Sequence, residues 1–184
     1  MLLGIDGSGK TTTARALVRV QGGATRPGLV LRNRSGRRWL GRVSARFGLA
    51  PSVRWTDRFE TAVRIVNVLA SEARARLTGR LVIMDRHLIC QVVLRRVRAL
   101  PQGRLLPRVA HGLLTADAVT VLDVPAEVAY ERIRARGEDL ESLEFLRATR
   151  AIYLELAAAH GWSVIDATGT TEAIAGRIES AAGR

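Results

Sequence analysis

The sequence predicts a three-layer α/β fold: a parallel, five-stranded sheet flanked by helices. Three observations carry that prediction. Short apolar runs alternate with helix-length segments along the whole chain, the order that builds a parallel sheet through crossover helices. The run at residues 81–85 is almost continuously apolar, as strands buried on both faces are. The first run leads into a glycine-rich turn that opens directly into a helical segment. A length of 184 residues fits one domain, 1–184, with room for a sizeable core.

The elements follow in order. Residues 2–5 form a short buried strand. Thr12 opens a helix through Val18, which Gly22 and Gly23 end. Residues 28–31 are the second strand. Residues 32–55, rich in arginine with glycine and proline breaks, read as irregular or partly helical. An amphipathic helix spans 56–77, with Val63, Val66, Ala70, Ala73 and Leu77 on one helical period and Gly79 as its stop. The strand at 81–85 comes next. Helices at 87–99 and 104–114 are separated by breaks at Pro101 and Pro107. Residues 118–123 make a strand, 125–136 a helix closed by Gly137, and 143–160 another helix. Residues 162–165 make the last strand and 171–182 the last helix.

One of the 29 basic residues is lysine, Lys10; the rest are arginine. That lysine lies in Gly4-Ile5-Asp6-Gly7-Ser8-Gly9-Lys10-Thr11, a complete G-x-x-x-x-G-K-T phosphate loop, with a strand before it and a helix after it. The chemistry asks for lysine there. Its ammonium is a compact point charge on a flexible stem, whereas the arginine fork is planar and bulky. Backbone N–H groups of Gly7, Ser8, Gly9, Thr11 and Thr12 would cradle phosphate oxygens. The Thr11 hydroxyl suits Mg²⁺. Asp85-Arg86-His87 closes the central strand, and ligands of parallel sheets gather at that end. Asp85 is therefore a second candidate for Mg²⁺ and Arg86 a clamp for an anionic acceptor.

The net charge of +12 invites a nucleic-acid reading. Two features argue against it as the main role. Arginine replaces lysine across the whole chain, as compositional bias produces, and no aromatic residues interleave with a basic stripe. Arginines near glutamates on helix faces, such as Glu72/Arg76 and Glu127/Arg132, read as solvated pairs. The single cysteine, Cys90, reads as buried packing on a helix and fits a reducing cytoplasm. His87, His111 and His160 have no metal-ligand spacing. The chain is expected to carry neither a secretory leader nor a membrane span.

With these motifs in hand, the chain resembles the thymidylate kinase family of nucleoside monophosphate kinases. The phosphate loop with its acid at Asp6 is similar to that family's. So are Asp85-Arg86-His87, Leu122-Asp123-Val124-Pro125-Ala126-Glu127-Val128-Ala129, the lid entry Glu131-Arg132-Ile133-Arg134-Ala135-Arg136-Gly137, and the helix with Arg150 and Tyr153. Ile165-Asp166-Ala167-Thr168-Gly169 resembles the family's adenine-side loop. The resemblance implies that ATP and Mg²⁺ are used and that Arg86 binds the acceptor phosphate. It also implies that Asp6 lies near the acceptor sugar or Mg²⁺ and Ala167 near adenine. Family members without an arginine in the loop carry the catalytic arginine in the lid. Here Gly7 stands at that loop position, which points to Arg134 or Arg136 within a lid at about 134–142. A homodimer is implied as well.

The acceptor side, about 26–64, departs from the family pattern. Its Thr-Arg-Glu-Pro-Gly motif is reduced to Thr25-Arg26-Pro27-Gly28, leaving Arg26, with Arg32 or Arg34 as substitutes. Phe59 and Arg64 lie five apart where the family's base-binding pair lies four apart. Leu88-Ile89-Cys90-Gln91 replaces a serine-rich run. The reading is a kinase transferring the γ-phosphoryl of ATP to a nucleoside monophosphate such as dTMP. An alternative keeps fold and donor but changes the small-molecule acceptor. A weaker alternative is a non-catalytic nucleotide-binding regulator.

Overall fold

The structure, a computed structural model, describes residues 1–21, 28–32, 46, 52–78, 82–85, 87–101, 105–112, 114, 116, 118–137 and 141–182. Five strands and seven helices lie within these residues. The strands are β1 (Leu2–Leu3), β2 (Leu29–Arg32), β3 (Val82–Asp85), β4 (Thr120–Asp123) and β5 (Ser163–Asp166). The helices are α1 (Lys10–Gln21), α2 (Val53–Thr78), α3 (Ile89–Val97), α4 (Leu105–Gly112), α5 (Ala126–Ala135), α6 (Leu143–His160) and α7 (Thr171–Ala182).

The strands make one parallel sheet in the order β2-β3-β1-β4-β5. β1 is central, and the chain visits one side of it before the other, so the turn after β1 opens at the topological switch point. Side chains alternate along β1. Leu2 packs with Ala14, Leu17, Ile174 and Ile178 under α1 and α7, while Leu3 packs with Leu88, Val93, Ile133 and Tyr153 under the helices of the other face. Those two cores bind a helix layer to each face of the sheet, giving a three-layer sandwich.

Caps explain several ends. Ser142 Oγ accepts from Phe145 N at 3.2 Å to start α6, and Gly161, at φ 65°, ends it in the left-handed region that glycine tolerates. Thr170 Oγ1 accepts from Ala173 N at 3.3 Å to start α7. α5 starts directly after Pro125. Cys90 is buried on α3, as its apolar neighbours suggest.

Helix α2 departs from expectation in what it buries. The apolar stripe of Val66, Ala70, Ala73 and Leu77 faces outward, with Val66 65% and Leu77 87% exposed. The inward face is instead Asp57, Glu60, Arg64, Val68 and Ser71. The period was legible; the direction was not, because a buried polar face mimics an exposed one in sequence. No helix among the described residues is long and apolar enough to cross a membrane.

Candidate active site

The strand register builds the site. Leu2 of β1 lies opposite Asp85, the last residue of β3. The loop that begins at Gly4 therefore rises beside the carboxylate that ends the neighbouring strand. Arg32, the last residue of β2, registers with Asp85 from the other side.

The loop itself needs its glycines. Gly7 has φ 78°, and a Cβ there would stand 2.5 Å from Ala129 O of α5. Both the backbone angle and the clearance exclude other residues. Gly9, at φ 86°, would bring a Cβ to 3.9 Å from Thr13 Oγ1, an ordinary contact, so only its backbone angle demands glycine. Ser8 is fully buried, and Thr13 N donates to Gly9 O at 2.9 Å, joining loop to helix. Lys10 is 7% exposed; its Nζ donates to Gly4 O at 3.0 Å, to Ile5 O and to Ser8 Oγ at 3.3 Å. The ammonium is thus held inside the curl of the loop, at the positive end of α1.

Thr11 and Asp85 come together as the sequence implied: Thr11 Oγ1 donates to Asp85 Oδ2 at 2.6 Å. Asp85 is 4% exposed. A hydroxyl and a carboxylate side by side are hard oxygen donors, the set that a hard divalent cation takes. Asp6 is partly buried at the loop's crest, and Thr12 is exposed at the start of α1.

The opposite wall is the loop after β5. Ala167 is fully buried, its N–H donating to Asp123 O at 2.7 Å. Asp166 Oδ1 accepts from Thr168 Oγ1 at 2.7 Å and from Thr168 N at 2.9 Å. Those two bonds, hydroxyl first, hold the Asp166 carboxyl below its ordinary pKa. Asp123 is gripped by Arg150 of α6, through Nε at 2.6 Å and Nη2 at 2.8 Å.

Arg132 joins the two walls, and sequence reasoning missed it. Its Nη1 lies 3.2 Å from Ala167 O and 3.5 Å from Gly7 O, and its Nη2 lies 3.5 Å from Thr168 O. The expected solvated pair with Glu127 is not formed. Five residues turn a helix by about 140°, so the two side chains leave α5 on different faces. Glu127 instead accepts from Arg147 Nε at 2.8 Å. A backbone hydrogen bond, then that guanidinium, lowers the Glu127 pKa.

The lid arginines lie at the surface. Arg134 is 68% exposed on its side chain and ion-paired with Glu131 at 3.9 Å. Arg136 is exposed at the end of α5. Residues 138–140, Arg26, Arg34 and Arg86 lie outside the described residues.

On the acceptor side, Phe59 is half-buried and Arg64 is 2% exposed. Arg64 Nε and Nη1 have no hydrogen-bond partner among the described residues. Nearby on the same helix, Asp57 Oδ1 accepts from Gln91 Nε2 at 2.7 Å and Oδ2 from Arg95 Nε at 2.8 Å. That network edges a cavity of about 500 Å³ between α2, α3 and α4. Neither the phosphate loop nor Asp85 lines it, so it is not the donor site.

A central-strand phosphate loop, its lysine, its hydroxyl and a strand-end carboxylate on a parallel sheet define a phosphate-loop nucleotide-binding enzyme. Comparison with known proteins narrows the class. The profile of the family described as Thymidylate kinase matches residues 3–178. A thymidylate kinase of Xanthomonas euvesicatoria pv. vesicatoria is 31% identical over 185 aligned positions, covering 93% of this chain and 76% of that protein. A probable thymidylate kinase of Pyrobaculum calidifontis is 35% identical over 176 positions, covering 89% and 84%. The chain belongs to the thymidylate kinase family, and it is a phosphate-loop kinase.

Proposed function

We propose that this protein transfers the γ-phosphoryl group of ATP to dTMP. The Thr11–Asp85 contact carries this reading. It unites the loop's hydroxyl with a buried strand-end carboxylate at 2.6 Å, beside the chain's only lysine. ATP phosphates lie along the N–H groups of Gly7, Ser8, Gly9, Thr11 and Thr12, with adenine toward Ala167. Thr11 and Asp85 hold Mg²⁺, which offsets phosphate charge when bound. Lys10 exchanges loop carbonyls for phosphate oxygens and stabilises the charge that spreads over them in the transition state. Arg86 and Arg26 grip the acceptor phosphate, and Asp6 faces the acceptor sugar. Closure of the lid at about 134–142 brings Arg134 or Arg136 to the transferring group and excludes water as a rival acceptor.

Arg64 supports an acceptor on this side of the sheet. A buried guanidinium with two unpartnered donors is costly unless something accepts from it, and a base carbonyl beside Phe59 would do so. The reaction runs in the cytoplasm. The exposed stripe of Val66, Leu69 and Leu77, with Trp55 68% exposed one end along, supports a homodimer formed through α2.

A second reading, a different small-molecule acceptor, draws on Glu60. That carboxylate is 1% exposed and stands four residues before Arg64, the spacing at which the family pattern has phenylalanine. An acceptor panel assayed by ADP release separates the readings. Fastest turnover with dTMP supports the first; fastest turnover with another acceptor replaces it by the second.

A further inference from the structure

The chain has three histidines. His87 is fully buried. The other two meet at the surface, where the last turn of α4 faces the last turn of α6. His111 Nε2 and His160 Nε2 are 3.0 Å apart, and both residues are exposed. His111 Nδ1 lies 2.7 Å from Pro107 O, one turn back on α4. A carbonyl only accepts, so Nδ1 carries the proton and Nε2 of the neutral ring presents a lone pair. His160 stacks on Trp162, with ring centroids 5.1 Å apart and planes at 25°.

The two imidazoles have the spacing of cis ligands. An ion about 2.1 Å from each nitrogen would subtend about 90° across the 3.0 Å gap. It would also hold the ring centroids about 4.6 Å apart, and they stand at 4.6 Å. An in-line N–H···N bond would hold them farther apart, at about 5.3 Å. A tetrahedral ion opens the angle to about 109° and needs the nitrogens about 3.4 Å apart. The right angle suits octahedral or tetragonal ions, and imidazole is a ligand for Ni²⁺ and Cu²⁺.

We propose that His111 and His160 form a bidentate surface site for a divalent transition metal of the Ni²⁺/Cu²⁺ class. Pro107 O is the outer partner that sets the His111 tautomer, as backbone carbonyls do for metal-ligating histidines. No group of three His, Cys, Asp or Glu residues gathers among the described residues, so water completes the coordination and the ion exchanges freely. The site lies just before the start of β5, at the amino-terminal end of the parallel strands, whereas the phosphate loop lies at their carboxyl-terminal end. Its nitrogen donors and the oxygen donors of Thr11 and Asp85 therefore select different ions. An ion there ties α4 to α6 and stabilises the fold by mass action.

The test uses tag-free protein, because a polyhistidine tag would supply rival imidazoles. Ni²⁺ is titrated without nucleotide and followed by calorimetry and tryptophan fluorescence. One saturable equivalent is expected, with quenching of Trp162, weaker binding of Zn²⁺, and a rise in Tm on saturation. His111→Ala and His160→Ala should each weaken binding at least tenfold and abolish the Tm rise, while matching the parent Tm in chelator. Binding that survives both substitutions, or the absence of saturable binding, would overturn the site. Zn²⁺ bound more tightly than Ni²⁺ would overturn its right-angle geometry.

Discussion

Thr11 Oγ1 sits 2.6 Å from Asp85 Oδ2, joining two residues 74 positions apart in sequence. Neither residue type is unusual alone. Their contact is what turns a glycine-rich turn into a site with hard oxygen ligands. Asp85→Asn keeps the shape but removes the charge, and Thr11→Ala removes the hydroxyl. Each should lower kcat by about a hundredfold or more, an effect of the size seen when one electrostatic group is removed from a transition state. Steady-state kinetics at saturating ATP checks this, and Thr11→Ser should recover most of the activity.

Gly7 makes a structural prediction. A Cβ there meets Ala129 O at 2.5 Å and the backbone sits at φ 78°. Gly7→Ala should destabilise the fold by about 2 kcal/mol, through strain and overpacking together. Thermal or urea unfolding measures it. Gly9→Ala meets strain without the clash, so it should cost less stability.

Arg132 makes a kinetic one. It spans carbonyls of Gly7, Ala167 and Thr168, so it positions the phosphate loop against the loop after β5, which are the two walls of the proposed ATP site. Arg132→Ala should raise KM for ATP several-fold with a smaller change in kcat. Arg132→Lys should restore little, because one ammonium cannot span three carbonyls. Initial rates against ATP concentration decide it.

Asp166 gives a pH dependence. Its carboxyl is held below the ordinary range by the Thr168 hydroxyl and then the Thr168 N–H. The folded value lies below the unfolded one, so the stabilising contribution is present above the unfolded pKa. It is lost as pH falls through the folded value. The ordering of residues 166–168 should therefore persist at neutral pH and fail only in acid, below the usual carboxylate range. Carbon NMR titration reads the carboxyl directly, and Thr168→Val should move it upward.

The α2 stripe predicts assembly. Leu69, 48% exposed, lies between Val66 and Leu77 on that face. Leu69→Asp should convert a dimer to a monomer in light scattering, leaving helical content unchanged. A monomeric parent protein would remove the homodimer from the account.

Much of this architecture was readable in advance because its three central strands, β3, β1 and β4, are largely buried on both faces. Residues such as Leu81 to Met84 leave no polar alternation to confuse, and the loop motif anchored everything on β1. The bounds of α6 and α7 also follow from local signals, a serine cap and a left-handed glycine in one case. Tertiary direction was harder. The stripe through Val66 and Leu77 has the period of a core face yet points outward, while Asp57, Glu60 and Arg64 point in. Arg132 was hidden among many arginines, because what marks it is a set of backbone carbonyls that only the fold assembles. His111 and His160 are 49 positions apart, a separation at which spacing in the sequence carries no signal.

The most direct test of the central claim is transfer of label from γ-labelled ATP to dTMP in the presence of Mg²⁺. Labelled dTDP is expected with the parent protein, and its near-complete loss in Asp85→Asn. Parent protein that binds ATP but labels no nucleoside monophosphate would contradict it.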